Sequence, residues 1–167
     1  MRRLCLVLLV IAIVPAFALA QEAKREHKGQ GYVFVAPGGT AGCGGSTVAL
    51  LHFGGGGEAL LYKGLGVGAE LGFLAPMQYL GDGIGILSVN GSYHFLNASA
   101  TRKMIPFVTG GYSLAFRSGA ANGVNLGGGI NYWLGERLGL RVEFRTHSTA
   151  GNFSCQMWQA RFGLAFR

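Results

Sequence analysis

The chain has 167 residues, only 13% of them charged, with a formal net charge of +7 and 30 glycines. A water-soluble domain of this size carries about 25% charged residues, so too little polar surface is available to cover an ordinary soluble core. The basic residues are scattered along the sequence, which argues against a nucleic-acid groove built from one basic stretch.

In chain order, Arg2 and Arg3 open a short cationic start, and residues 4–17 are apolar apart from Pro15. Ala18-Leu19-Ala20 then places small residues where a signal peptidase reads them, before Gln21. This order predicts a secretory signal over residues 1–20, cut between Ala20 and Gln21. The apolar run is shorter than the roughly 20 residues a spanning helix needs. Cys5 stands at the start of that run, whereas the lipidated cysteine of a lipoprotein would follow it. Residues 21–30 are polar and read as a periplasmic lead-in, and residues 31–167 as one domain.

After residue 20 no stretch is long and apolar enough for a transmembrane helix, yet the rest is apolar, glycine-rich and exported. In hydrocarbon every backbone N–H and C=O must be paired internally, which only helices and closed barrels achieve. A barrel remains. The expected strands are residues 31–36, 48–62, 65–75, 84–96, 103–116, 122–134, 138–147 and 156–166, eight in all and the smallest size for this architecture.

Period two carries that reading. Leu65, Val67, Ala69, Leu71 and Phe73 alternate with Gly66, Gly68, Glu70 and Gly72. Leu138, Leu140, Val142 and Phe144 alternate with Gly139, Arg141, Glu143 and Arg145. Trp158, Ala160, Phe162 and Leu164 alternate with Gln159, Arg161, Gly163 and Ala165. A soluble sandwich would turn Lys, Glu and Thr toward open water. Here the polar face is mostly Gly, Ser and Asn with a few Arg and Glu, which suits the crowded lumen of a narrow barrel.

With both termini in the periplasm, Lys63-Gly64 and Gly135-Glu136-Arg137 become short periplasmic turns, and connections 37–47 and 148–155 become long outer loops. Connection 117–121, also outer, is short. The same topology puts Tyr93, Phe95, Tyr132 and Phe166 at periplasmic strand ends, and Phe73, Phe116, Phe144 and Trp158 at extracellular ones. Two aromatic girdles are what the two membrane interfaces favour.

The segments LGVGAELGF (65–73), PFVTGGYSLAF (106–116), GGGINYWL (127–134), LGLRVEF (138–144) and FGLAF (162–166) resemble the outer-membrane β-barrel domain family of small OmpA/OmpX-type proteins. The resemblance runs over residues 64–167 and implies an eight-stranded antiparallel up-and-down transmembrane β-barrel in the bacterial outer membrane. It also implies outer-membrane lipids and the barrel-assembly machinery as partners. In such families that machinery reads a terminal aromatic; here Phe166 is penultimate and Arg167 is last.

Glu70, Arg141, Glu143, Arg145 and Arg161 all fall on the expected inward face. Charges at membrane depth are costly unless paired, so these five are expected to form a salt-bridge network plugging the lumen. The competing reading is a narrow ion path gated by exchange of those pairs. Cys43 and Cys155 lie in the first and last outer loops; with Cys5 removed along with the expected signal, the even count of two in an oxidising compartment predicts a Cys43–Cys155 disulfide.

His147-Ser148, expected just past strand seven, invites a nucleophile–base reading. Outer-membrane lipid A deacylases separate their His and Ser by one residue, whereas these are adjacent and no acidic third member is near. His27, His52 and His94 show no metal-ligand spacing. The glycines at 54–57 lack the Lys-Ser/Thr of a phosphate loop and read as sites of close strand approach.

The function expected is structural: a monomeric barrel serving membrane integrity or surface interaction, without catalysis, cofactor or metal. The alternatives are a narrow pore or transporter of small molecules, hydrophobic ones included, and a lipid-modifying enzyme of the deacylase kind.

Overall fold

The computed structural model describes residues 29–41, 47–96, 103–149 and 155–167. The expected signal with its Ala20/Gln21 junction, most of the lead-in, His27 and Cys43 lie outside the described residues.

Alternating apolar and small or polar residues fold into eight strands: β1 (Gly29–Ala41), β2 (Ala49–Tyr62), β3 (Leu65–Pro76), β4 (Ile84–His94), β5 (Met104–Phe116), β6 (Ala120–Trp133), β7 (Leu138–Thr149) and β8 (Gln156–Phe166). Each pairs antiparallel with its sequence neighbours, and β8 returns to pair with β1, closing the barrel. Closure leaves no strand edge unpaired. The shortest strands have 11 residues, enough for the 9–11 that a tilted strand needs to cross hydrocarbon. Among the described residues no helix is long and apolar enough to do so.

The apolar set faces outward. Leu71, Val124, Leu126, Val142 and Phe162 stand exposed around the wall, Leu126 at 65%. Side chains this apolar would be costly in water at about 25 cal/mol per Å², and lipid removes that cost. The buried set is the opposite of a soluble core: most of the residues hidden from solvent are polar or charged.

The Lys63-Gly64 turn joins β2 and β3 with positive φ at both residues, 46° and 92°. A two-residue hairpin of the primed type requires this, and Gly64 adopts it without a Cβ penalty. Backbone bonds tie this end of the barrel together: His94 N–H to Gly64 O (2.7 Å), Trp133 N–H to Lys103 O (2.7 Å) and Arg167 N–H to Arg137 O (3.1 Å). The two ends of the described barrel chain, Gly29 and Arg167, lie at this same end.

Strand ends shift by one or two residues in several places, and three larger features depart from the sequence expectation. β1 starts at Gly29 and runs through Pro37 to Ala41, where proline was expected to stop it. Pro37 still pairs with Leu51 of β2, while the β1–β8 ladder skips Ala36 and Pro37 and resumes at Gly38. A proline lacks one donor, so one ladder is interrupted and the other is kept. Secondly, β7 continues to Thr149, so His147-Ser148 is strand rather than loop. Thirdly, that extension puts Phe144 in mid-wall, opposite Gly128 and Ala160, and not at the extracellular girdle.

Candidate functional site

The lumen is built by three inward positions of β7, one of β8 and one of β3. Alternation puts Arg141, Glu143 and Arg145 on one face of β7, and register sets Arg161 of β8 directly opposite Glu143. Glu70 of β3 meets them from across the barrel. Arg145 Nε donates to Glu143 Oε1 (2.5 Å), and Arg141 Nε to Glu143 Oε2 (3.2 Å). Arg161 grips Glu70 in fork fashion, Nη2 to Oε1 at 2.5 Å and Nη1 to Oε2 at 3.0 Å. Arg145 Nη1 adds a contact to Glu70 Oε2 at 3.2 Å, and Arg161 Nη1 one to Glu143 Oε1 at 3.5 Å. The structure thus brings all five sequence-selected residues into one connected cluster, each at least 96% buried.

Aromatic rings complete the cage. Tyr32 donates its hydroxyl to Glu70 Oε2 (3.1 Å). The guanidinium of Arg141 lies 3.9 Å over Phe107 and 4.5 Å over Tyr32, and that of Arg161 lies 3.6 Å over Phe34. Such stacking suits a desolvated guanidinium, whose faces accept no hydrogen bonds. Gly56 makes the Tyr32 contact possible. Register runs Tyr32–Gly56–Glu70 across three strands, and a Cβ at Gly56 would stand 3.0 Å from the tyrosine hydroxyl. The glycine run of β2 is therefore a slot over which Tyr32 reaches Glu70.

Toward the terminal end, Glu58 accepts from Gln30 Nε2 (2.5 Å) and Ser92 Oγ (3.2 Å) and pairs with His94 Nε2. Toward the opposite end lies a neutral polar layer. His52 Nδ1 bonds Gln159 Oε1 (2.8 Å), and Ser113 Oγ meets Ser88 Oγ (2.9 Å), Asn125 Nδ2 (2.9 Å) and His147 Nδ1 (3.2 Å). Beyond the polar layers, Leu50, Leu74, Ile86 and Met157 close one end. A second apolar cluster with Ile105, Trp133 and Ala165 closes the other. The space bounded by Tyr32, Phe34, Arg141, Glu143, Arg161 and Gly163 has no room for a water molecule.

His147 and Ser148 are not brought together. His147 is buried in the lumen and bonds Ser113, while alternation turns Ser148 to the other side of β7. Among the described residues no group of three His, Cys, Asp or Glu side chains is arranged to hold a metal. Sequence reading passed over Tyr32, Gln30 and Glu58 as lumen residues, while Gln159 already fell on the expected polar face. Glu58 was recoverable from parity, because it lies six positions from the inward His52 in an unbroken strand; the intervening glycines hid the alternation.

No protein-family profile and no curated protein sequence matches the chain. Solved structures do. Neisserial surface protein A superposes with a TM-score of 0.69 at 10% identity, covering 83% of this chain and 96% of that one. The N-terminal β-barrel domain of Pseudomonas aeruginosa OprF gives 0.57 at 18% identity, over 83% and 98%. A de novo designed transmembrane β-barrel gives 0.58 at 17% identity, over 86% and 98%. The fold is that of the small transmembrane β-barrels. At these identities the likeness speaks for the architecture alone. A designed barrel matching about as well as natural ones makes the same point, since wall geometry is all they share.

Proposed function

We propose that this chain is an integral outer-membrane barrel with a sealed lumen, serving membrane integrity or presenting its outer loops at the cell surface. The observation that carries the reading is the lumen itself: two carboxylates and three guanidiniums interlocked at membrane depth, with apolar clusters across both ends. A conduit needs a path, and this arrangement fills it. The export-type N-terminus and the likeness to bacterial outer-membrane barrels, one named as a surface protein, support the location. Both termini then face the periplasm, outer-membrane lipids surround a monomeric wall, and the barrel-assembly machinery inserts it.

Reconstitution in planar lipid bilayers tests the sealed lumen. The expected result is silence at ordinary holding voltages; steady ohmic steps from the purified protein would instead favour the narrow-pore reading.

The Cys43–Cys155 disulfide belongs to this proposal. Ala41 pairs with Gln156 at the last rung of the β1–β8 seam, two residues before Cys43 and one after Cys155 in sequence. The bridge would staple the loops flanking that seam. It predicts a mobility shift on reduction that is absent from Cys155→Ser; identical mobility of wild type with and without reductant would remove it.

A further inference from the structure

We infer that the barrel end carrying the chain termini is a docking face for the phosphate headgroups of anionic phospholipids. The inference rests on the reading above that this end faces the periplasmic leaflet.

Scattered in sequence, the charges are sorted by the fold. In the lumen Arg141, Arg145 and Arg161 are matched in number by Glu58, Glu70 and Glu143. At the end away from the termini, the described residues hold one acid and one base, Asp82 and Arg117, paired with each other at 3.3 Å. Among the described residues, the remaining charges gather at the terminal end. Lys63, Lys103 and Arg137 are exposed there and Arg167 is half-buried, against the single acid Glu136.

The arrangement of these cations selects the partner. They sit on three separate connections, after β2, β4 and β6, and on the residue that follows β8, spaced around the barrel mouth. That is a ring and not a patch. Outward aromatics Tyr62, Tyr93, Tyr132 and Phe166 stand beside it on the wall, and such rings settle at headgroup depth. Two of the cations rest on aromatic faces: Lys63 Nζ lies 4.9 Å over Tyr62, and the Arg167 guanidinium 4.0 Å over Trp133. Long basic side chains rooted in an apolar wall extend their charge toward the interface. A soluble acidic polymer would need its cations on one track. A leaflet meets them all at once.

The test uses the protein purified from membranes in non-ionic detergent. Lipid retention is counted by native mass spectrometry with phosphatidylglycerol or with zwitterionic phosphatidylcholine. Each basic side chain near an anionic surface contributes about a fivefold factor, so phosphatidylglycerol should be retained at least tenfold more tightly. The preference should fall as salt rises from about 50 to 500 mM. Lys63→Asn combined with Lys103→Gln and Arg137→Gln should abolish it, whereas Arg117→Gln at the opposite end should leave it intact. Lys63→Asn keeps a residue tolerant of positive φ in the turn. Arg137→Gln alone, which should weaken the preference about fivefold, provides a milder second variant.

Equal retention of the two lipids, or a preference that survives the triple substitution, overturns the inference. So does a preference lost equally in Arg117→Gln, or one displaced by millimolar inorganic phosphate, which would mark a simple anion site. A heat-dependent electrophoretic shift, recorded on the same samples, separates the two levels of failure. A barrel that shifts but shows no lipid preference refutes the docking face alone, and a chain that never shifts refutes the barrel reading beneath it.

Discussion

Glu70 is the residue on which the lumen turns. It accepts from Tyr32, Arg145 and Arg161 at once, and it shares both arginines with Glu143. Removing one member of a buried ion pair strands the other, typically at a cost of about 3–5 kcal/mol, whereas replacing both by apolar groups of similar volume is often near neutral. Glu70→Met should therefore destabilise the folded barrel by about that amount. Glu70→Met together with Arg161→Met should recover a substantial part of the loss, because the remaining Arg145, Arg141 and Glu143 still pair. Urea unfolding in lipid vesicles measures both. If the double variant falls by the sum of the two single losses, the charges are not acting as a unit.

At the scale of the strand, the seam between β1 and β8 is interrupted, because Pro37 breaks its ladder over two residues. Pro37 points outward and is exposed. Pro37→Val restores a donor without disturbing the lumen and should raise stability by about 1 kcal/mol, the net value of one backbone bond. A lower melting temperature for that variant would show that the β1–β8 gap has another cause. Proline also limited what the sequence could disclose. Residues 37–40 read as loop because Pro-Gly-Gly is a turn signal in isolation, yet a strand held on its other side by β2 runs straight through it. His147-Ser148 was misread for the reverse reason: polar residues resemble a loop, but β7 runs through them, with His147 in the lumen and Ser148 on the other face. Period two, the Lys63-Gly64 turn and the inward charges were legible because each is a local rule. The Tyr32–Gly56–Glu70 contact was not, since it depends on register across three strands.

As a whole the molecule is a soluble protein reversed, with polar and charged groups packed inside and an apolar surface outside. Only one surrounding makes both halves favourable, a bilayer that takes the wall while the network seals the middle. Water on the outside would leave Leu126, Val124 and Phe162 exposed and give the lumen charges no reason to be so thoroughly paired. The measurement that tests this most directly is electrophoretic mobility of outer-membrane fractions in SDS, with and without boiling. A closed barrel resists SDS until heated, so the account predicts a fast-migrating band in the outer-membrane fraction that moves to the position of the unfolded chain after boiling. Recovery of the protein in the soluble periplasmic fraction, with one mobility at both temperatures, would contradict it.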